Sequence, residues 1–188
     1  MVTTKGSARD RLLDAADELF YAEGVHAVGI DRVIERAGVA KASLYNAFGS
    51  KDALVGEYLA RRQDGIRARI ETALARGGSP RERLLRVFDT QAEVFSRPGY
   101  RGCAFMAASA EAEPGGTVER RSDEYRAWLR GLLTELAREG GAPDPESLGH
   151  QLHVLYDGAA VGARMDRDPG VASAARRTVE VLLDAAGV

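Results

Sequence analysis

The stretch that decides the fold is IDRVIERAGVAKASLYNAF, residues 30–48. Ile30, Val33 and Ile34 recur at three- and four-residue spacing, which predicts a short helix from Ile30 to Ala37. Gly38 then supplies a tight turn. A second short helix follows, Lys41 to Phe48. At 100° per residue Leu44 and Phe48 share its inner side, Ala42, Ser43 and Asn46 point the opposite way, and Lys41 and Tyr45 lie on a flank. This is helix-turn-helix spacing, in which the second helix enters the DNA major groove. Asn can pair bidentately with adenine, and an Ala methyl can touch a thymine methyl. Tyr45 is placed to hydrogen-bond a phosphate, which fixes register without reading sequence. Lys51 adds charge at the start of the next helix, where free backbone N–H groups already favour anions.

Outward from this stretch, breakers divide the chain into helical segments. Leu12, Leu13, Ala16, Leu19 and Phe20 form an apolar stripe that ends near Gly24. Ser50 is a good N-cap for a long fourth helix reaching about Arg76. After Gly77-Gly78, Ser79-Pro80-Arg81-Glu82 is a capping box with proline at the first helical position. That fifth helix stops at Pro98-Gly99. A sixth is expected from Tyr100 to about Glu113, ended by Pro114-Gly115-Gly116, and a seventh runs to Glu139. Asp144-Pro145 caps an eighth, and Asp168-Pro169 caps a ninth that ends near Ala186. No segment alternates at period two. The expected fold is all-α, with nine helices: a three-helix head, residues 1–50, and a helical ligand-binding and dimerisation body, residues 51–188. Helix four belongs to both and is a candidate transmission element.

Composition agrees with that class. Of 188 residues, 45% are hydrophobic and 29% charged, the profile of a globular protein, and aromatics are only 6%. The opening MVTTKGSARDRLLD has no apolar core, so no secretion signal is expected. The small-and-apolar run from Cys103 to Ala110 is too short to span a bilayer. A single cysteine excludes an intrachain disulfide and fits a reducing compartment, which places the protein in the cytoplasm. Net charge is −2, but residues 1–51 hold seven Lys/Arg against seven Asp/Glu, leaving 19 and 21 for the remainder. A neutral head disfavours a non-specific polyelectrolyte clamp and leaves the work to local contacts.

The residues GVHAVGIDRVIERAGVAKASLYNAFGSKDALV, 24–55, resemble the N-terminal signature of the TetR family of bacterial repressors. The resemblance rests on Gly24, Ile30, Val33, Ala37-Gly38-Val39, Ser43-Leu44-Tyr45, Phe48 and Ser50-Lys51-Asp52-Ala53-Leu54, and the dense match covers roughly residues 8–55. It implies a homodimer, a double-stranded operator with two related half-sites, and release when a small-molecule effector fills the body. Tyr45 and Lys51 then correspond to phosphate contacts, and Lys41, Ala42, Ser43 and Asn46 fall on the recognition helix. Two positions depart from the pattern. Ala40 stands where Ser or Thr caps that helix, a loss worth about 1 kcal/mol. Gly29 stands where Thr is frequent.

The body is less explicit. YRGCAFMAASAEAE, residues 100–113, looks like the sixth helix of one subgroup of that family. Candidate effector-lining residues are Phe88, Gln91, Phe95, Cys103, Met106, Tyr125, Trp128, Leu132, His153 and Tyr156, where apolar walls meet a few polar groups. Each also suits an ordinary core. Cys103, beside Arg101, carries the alternative of a redox or electrophile sensor; a buried inert thiol is the commoner outcome. His150, His153 and Asp157 share one helical face, but three candidate ligands on one helix are thin ground for a metal, and none is expected. Gly158, Ala159, Gly162 and Ala163 on helix eight permit close helix approach, and Ala172, Ala175, Val179, Leu182 and Leu183 form a stripe on helix nine. By resemblance these two helices pair with their symmetry mates.

An enzyme is not expected: the chain has no nucleophile elbow, P-loop, dinucleotide fingerprint or metalloprotease helix, and no cofactor is implied. The remaining rival is a helical small-molecule-binding protein without DNA binding.

Overall fold

The computed structural model describes residues 6–110 and 112–188. Residues 1–5, on which the expectation of no leader partly rests, and Glu111, within the expected sixth helix, lie outside the described residues. Among the described residues the chain is all-α, without strands. Its helices are α1 (Ala8–Glu23), α2 (Ile30–Ala37), α3 (Lys41–Phe48), α4 (Lys51–Leu74), α5 (Pro80–Phe95), α6 (Ala104–Ser109), α7 (Thr117–Glu139), α8 (Pro145–Asp166) and α9 (Val171–Ala186). None of these helices is long and apolar enough to cross a membrane.

Two compact units are present, Met1–Gln63 with Ala104–Ser122, and Asp64–Cys103 with Asp123–Val188. In the first, α1 starts at a reciprocal cap. The Asp10 amide donates to Ser7 Oγ at 3.1 Å and the Ser7 amide to Asp10 Oδ2 at 3.1 Å. The Ser7 hydroxyl, donating to Asp10 Oδ2 at 2.7 Å, and the Ser7 amide together hold the Asp10 carboxyl below its ordinary pKa. Leu12, Ala16, Val28, Val33, Leu44, Leu54 and Leu59 are fully buried and form the core, each larger side chain contributing about 1.5–3 kcal/mol on burial. Phe20 and Tyr58 meet edge to face at 5.6 Å. Arg62 lies over Tyr21 at 4.0 Å and reaches Asp17 at 2.7 Å, closing the outer side of α1.

The second unit opens on the expected capping box, with the Glu82 amide donating to Ser79 Oγ at 3.2 Å and the Ser79 amide to Glu82 Oε2 at 2.8 Å. Asp144 caps α8 by accepting from the Ser147 amide at 3.0 Å. Leu84, Val87, Leu129, Leu133, Leu152, Val179 and Leu183 are fully buried between α5, α7, α8 and α9.

Three boundaries differ from expectation. Helix α6 is Ala104–Ser109, not Tyr100 to Glu113. Gly99 and Gly102 take φ of 80° and 96°, which breaks any helix begun at Tyr100. The Tyr100 hydroxyl instead donates to the Ala160 carbonyl at 3.2 Å. Helix α9 starts at Val171 behind Gly170, because Asp168 Oδ1 accepts from the Gly170 amide at 2.7 Å and so closes a turn rather than capping a helix. Helix α5 ends at Phe95, capped by Ser96, before Pro98 is reached.

The two glycines of α4 are not equivalent. A Cβ at Gly56 would sit 2.8 Å from Thr117 Cγ2, and the Thr117 hydroxyl donates to Asp52, so this α4 face is tightly packed within the first unit. At Gly65 the nearest atom is Arg69 Nη1, at an ordinary 3.6 Å. Gly56→Ala is therefore expected to destabilise by about 1–3 kcal/mol through overpacking. Gly65→Ala should stabilise by about 0.5–1 kcal/mol through helix propensity. Calorimetric melting of the two single variants checks the opposite signs. Equal shifts would show that Gly56 serves only to loosen the helix.

Candidate functional sites

The first candidate site is built on α3. Gly38, in the left-handed region at φ 63°, turns the chain between α2 and α3, and the Val39 amide donates to the Ile34 carbonyl at 3.4 Å. Leu44 is fully buried and anchors the helix to the core, while Phe48 is half-buried beneath Arg9, whose guanidinium lies 5.0 Å from its ring. The outward set is as the wheel placed it for Lys41, Ala42, Tyr45 and Asn46, all exposed, Tyr45 at 46%. Ser43 is half-buried.

Charge sorts these groups further. Within residues 6–51, Arg9 pairs with Glu57, Arg32 with Glu23, Arg36 with Glu18 and Lys41 with Asp31. Arg11 is held by the Ala37 and Gly6 carbonyls. Lys51 is left without a carboxylate partner among the described residues; its Nζ has only the His26 carbonyl, at 3.5 Å. The Lys41–Asp31 contact, 2.8 Å long, raises the Lys41 pKa by hydrogen bonding and by charge. Both side chains are well exposed, and such pairs are worth little, so Lys41 can exchange Asp31 for a phosphate. Asp31 was not singled out in the sequence reading. Its position one residue into α2, in a head with balanced charge, was the available signal.

The α3 N-terminus lacks a side-chain cap, as Ala40 implied: Ala40 is extended and no side chain accepts from the first turn. Gly29 likewise gives α2 no side-chain cap. Restoring the hydroxyl with Ala40→Ser should add about 1 kcal/mol of stability and tighten DNA binding. Thermal melting and gel shift read the two effects, and an unchanged melt would mean that water already satisfies these amides.

The second candidate site lies in the second unit. Phe88 and Tyr156 are buried and meet edge to face at 5.7 Å, and Gln91 Nε2 donates to the Tyr156 carbonyl at 2.9 Å. Tyr125 and Trp128 stand 6.2 Å apart, ring to ring. Burial raises the Tyr125 hydroxyl well above the ordinary phenol value, with Tyr156, Cys103 and Asp157 adding to the shift, so these groups are neighbours. Burial raises Tyr156 as well; both phenols stay protonated at physiological pH. Phe95 is buried against Tyr100, at 5.1 Å, while Leu132 and Cys103 are half-buried. Met106, in the first unit, is 37% exposed.

His153 is 2% exposed, and its Nε2 has no hydrogen-bond partner among the described residues. Asp157 Oδ2 is 3.8 Å away and is taken by Arg126 at 2.7 Å. Burial lowers the His153 pKa, opposed by the Asp157 charge, and this favours the neutral imidazole. Among the described residues no three His, Cys, Asp or Glu side chains are grouped to hold a metal ion. A groove of about 540 Å³ runs along α7 past Asp123, Arg126, Arg130 and Thr134. It shares no residue with the aromatic set, and several of its charges are internally paired, Arg138 with Glu135 and Glu146 among them.

Two short helices about the Gly38 turn, the second facing outward, have the arrangement of a helix-turn-helix DNA-binding element. The comparisons agree. The family profile of bacterial regulatory proteins of the tetR family matches residues 12–58. The uncharacterized HTH-type transcriptional regulator Rv1255c of Mycobacterium tuberculosis is 30% identical over 142 residues, spanning 75% of this chain and 67% of that protein. The HTH-type transcriptional repressor NemR of Escherichia coli is 25% identical over 174 residues, 87% of each. The crystal structure of SCO4454, a TetR-family transcriptional regulator from Streptomyces coelicolor, superposes with a TM-score of 0.91 at 36% identity over 96% of both chains. The chain belongs to the TetR family of transcriptional regulators.

Proposed function

We propose that the protein is a ligand-responsive repressor that binds a palindromic operator as a homodimer and leaves it when a small molecule occupies the second unit. The observation that carries this reading is the outward set on α3, Tyr45 and Asn46 exposed beside the unpaired Lys51. Asn46 and Ala42 face base edges, Lys41, Tyr45 and Lys51 face phosphates, and Ser43 supports either role. Two copies of α3 then sit one DNA turn apart, roughly 34–36 Å. The functional division falls near residue 50, with α4 carrying the signal from the body to the head.

The dimer reading is supported by apolar side chains that a single chain leaves in solvent. Val154 and Met165 on α8 are 59% and 74% exposed, and Val181 on α9 is 65% exposed. Repression follows the naming of NemR. The aromatic set of α5, α7 and α8 is the effector wall, with coupling to DNA binding of about 1–3 kcal/mol expected. A gel shift with the DNA upstream of the protein's own coding sequence tests the whole reading. A salt-dependent complex with one discrete sequence supports it. Binding that is equal on unrelated DNA, or absent, leaves only a helical small-molecule-binding protein.

A further inference from the structure

A cation without a counter-charge stands at one end of the effector wall. Arg67, on the part of α4 that belongs to the second unit, lies over the Trp128 ring at 4.8 Å. It forms no ion pair among the described residues, although Asp64 and Glu71 lie within about a turn on the same helix. Its Nε is buried and has no hydrogen-bond partner among the described residues. Guanidinium is charged at any physiological pH, and stacking on an indole satisfies its face but not its in-plane N–H groups. A buried donor without a protein acceptor is free to donate to an incoming group.

From Arg67 the wall continues through Trp128 to Tyr125, and Tyr125 neighbours Tyr156, which packs on Phe88. Asp157, whose charge reaches Tyr125 and Tyr156, is already paired with Arg126. A basic ligand would therefore meet an unneutralised guanidinium and a carboxylate already taken. An acid with an apolar body finds both halves of its chemistry. Nε and a terminal nitrogen of Arg67 form the fork that fits the two oxygens of a carboxylate. His153 Nε2, buried and unpartnered in the same unit, offers a further polar group.

We propose that the effector of this chain is an organic acid whose carboxylate is taken by Arg67 and whose apolar body lies along Trp128, Tyr125 and Tyr156. The proposal rests on the reading of this wall as an effector site and names the class of molecule it selects. An inorganic oxyanion would share the Arg67 chemistry but leave the aromatic wall empty.

Trp128 is the single tryptophan of the chain, so its fluorescence reports on the Arg67 contact directly. The full-length protein is titrated with benzoate, phenylacetate, octanoate and laurate, with their neutral carboxamides, and with inorganic phosphate, and calorimetry gives affinities. At least one acid is expected to bind saturably and at least tenfold more tightly than its amide, a difference of about 1.4 kcal/mol or more. Arg67→Gln should lose that preference, and Arg67→Lys, which keeps the charge without the fork, should fall between. Amides that bind as well as acids, full acid affinity in folded Arg67→Gln, phosphate alone saturating the site, or no acid binding would each overturn the proposal. The acid-against-amide comparison needs no variant and holds if Arg67→Gln fails to fold. A gel shift with saturating acid keeps the two readings apart. Acid binding through Arg67 that leaves the DNA complex intact upholds the site and overturns its role as effector site.

Discussion

Lys51→Glu is expected to weaken operator binding by at least about a hundredfold while leaving the fold as stable as before or slightly more so. The two effects have opposite signs for one physical reason. Lys51 is the first residue of α4, where backbone amides carry partial positive charge. A carboxylate there is favoured within the protein, and the lysine it replaces gives up only a 3.5 Å contact to the His26 carbonyl. DNA reverses the preference. A hydrogen bond to a charged group contributes about 1.5–3 kcal/mol, and the symmetric complex loses it twice. The sum of about 3 kcal/mol or more corresponds to two orders of magnitude, before repulsion between glutamate and phosphate is counted. Lys51→Gln should give a smaller loss and reduce the slope of log K against log salt by about 0.9 for each lost phosphate contact. Gel shift across a salt series, with a melting curve for each variant, reads both. Retention of wild-type affinity by Lys51→Glu would sink the phosphate role of α4.

Legibility in the sequence followed the range of the interactions. The bounds of α2 and the start of α3 were readable because a local breaker, Gly38, sets them, and Ile30, Val33 and Ile34 have helical spacing. The outward pose of Tyr45 followed from that spacing alone. Helix α6 was misjudged because a small, apolar run has helical propensity throughout, whereas its start is fixed by Gly99 and Gly102, whose backbone sign only the folded chain reveals. The cap of α9 failed in the same way, since Asp168 bonds to Gly170 rather than to a helical amide. Longer-range partners were invisible. Nothing local announces that Lys41 meets Asp31, that Thr117 fills the space beside Gly56, or that Arg67 covers Trp128. Of the effector set, Phe88, Gln91, Tyr125, Trp128 and Tyr156 are joined by ring contacts, a hydrogen bond and shared burial. Composition suggested these residue types without fixing their order.

A charge on the exposed apolar face of α8 and α9 should have the other large effect. Val154 and Val181 are 59% and 65% exposed on the single chain, next to residues such as Gly158 whose absent side chain leaves room for a facing helix. The buried sides of both helices, with Leu152, Tyr156, Ala160, Val179 and Leu183, already face the core of the second unit. The exposed valines therefore contribute nothing to the monomer core, and Val154→Glu with Val181→Glu should leave helical content and melting of the isolated chain nearly intact. In an isologous interface each substitution counts twice. Burial of the remaining exposed area, worth about 1–2 kcal/mol per valine, is lost in both copies, and like charges approach across the symmetry axis. The expected result is a monomer at micromolar concentration by sedimentation or light scattering, where the wild type is expected to be a dimer. Operator affinity should fall by at least two orders of magnitude, because a lone head engages one half-site and loses the gain from linking two. A wild-type chain that sediments as a monomer, or a double variant that keeps full operator affinity, would remove the dimer and with it the paired half-sites. The α3 face would then have to act alone, and with a charge-balanced head it lacks the electrostatic attraction to hold DNA by one contact surface.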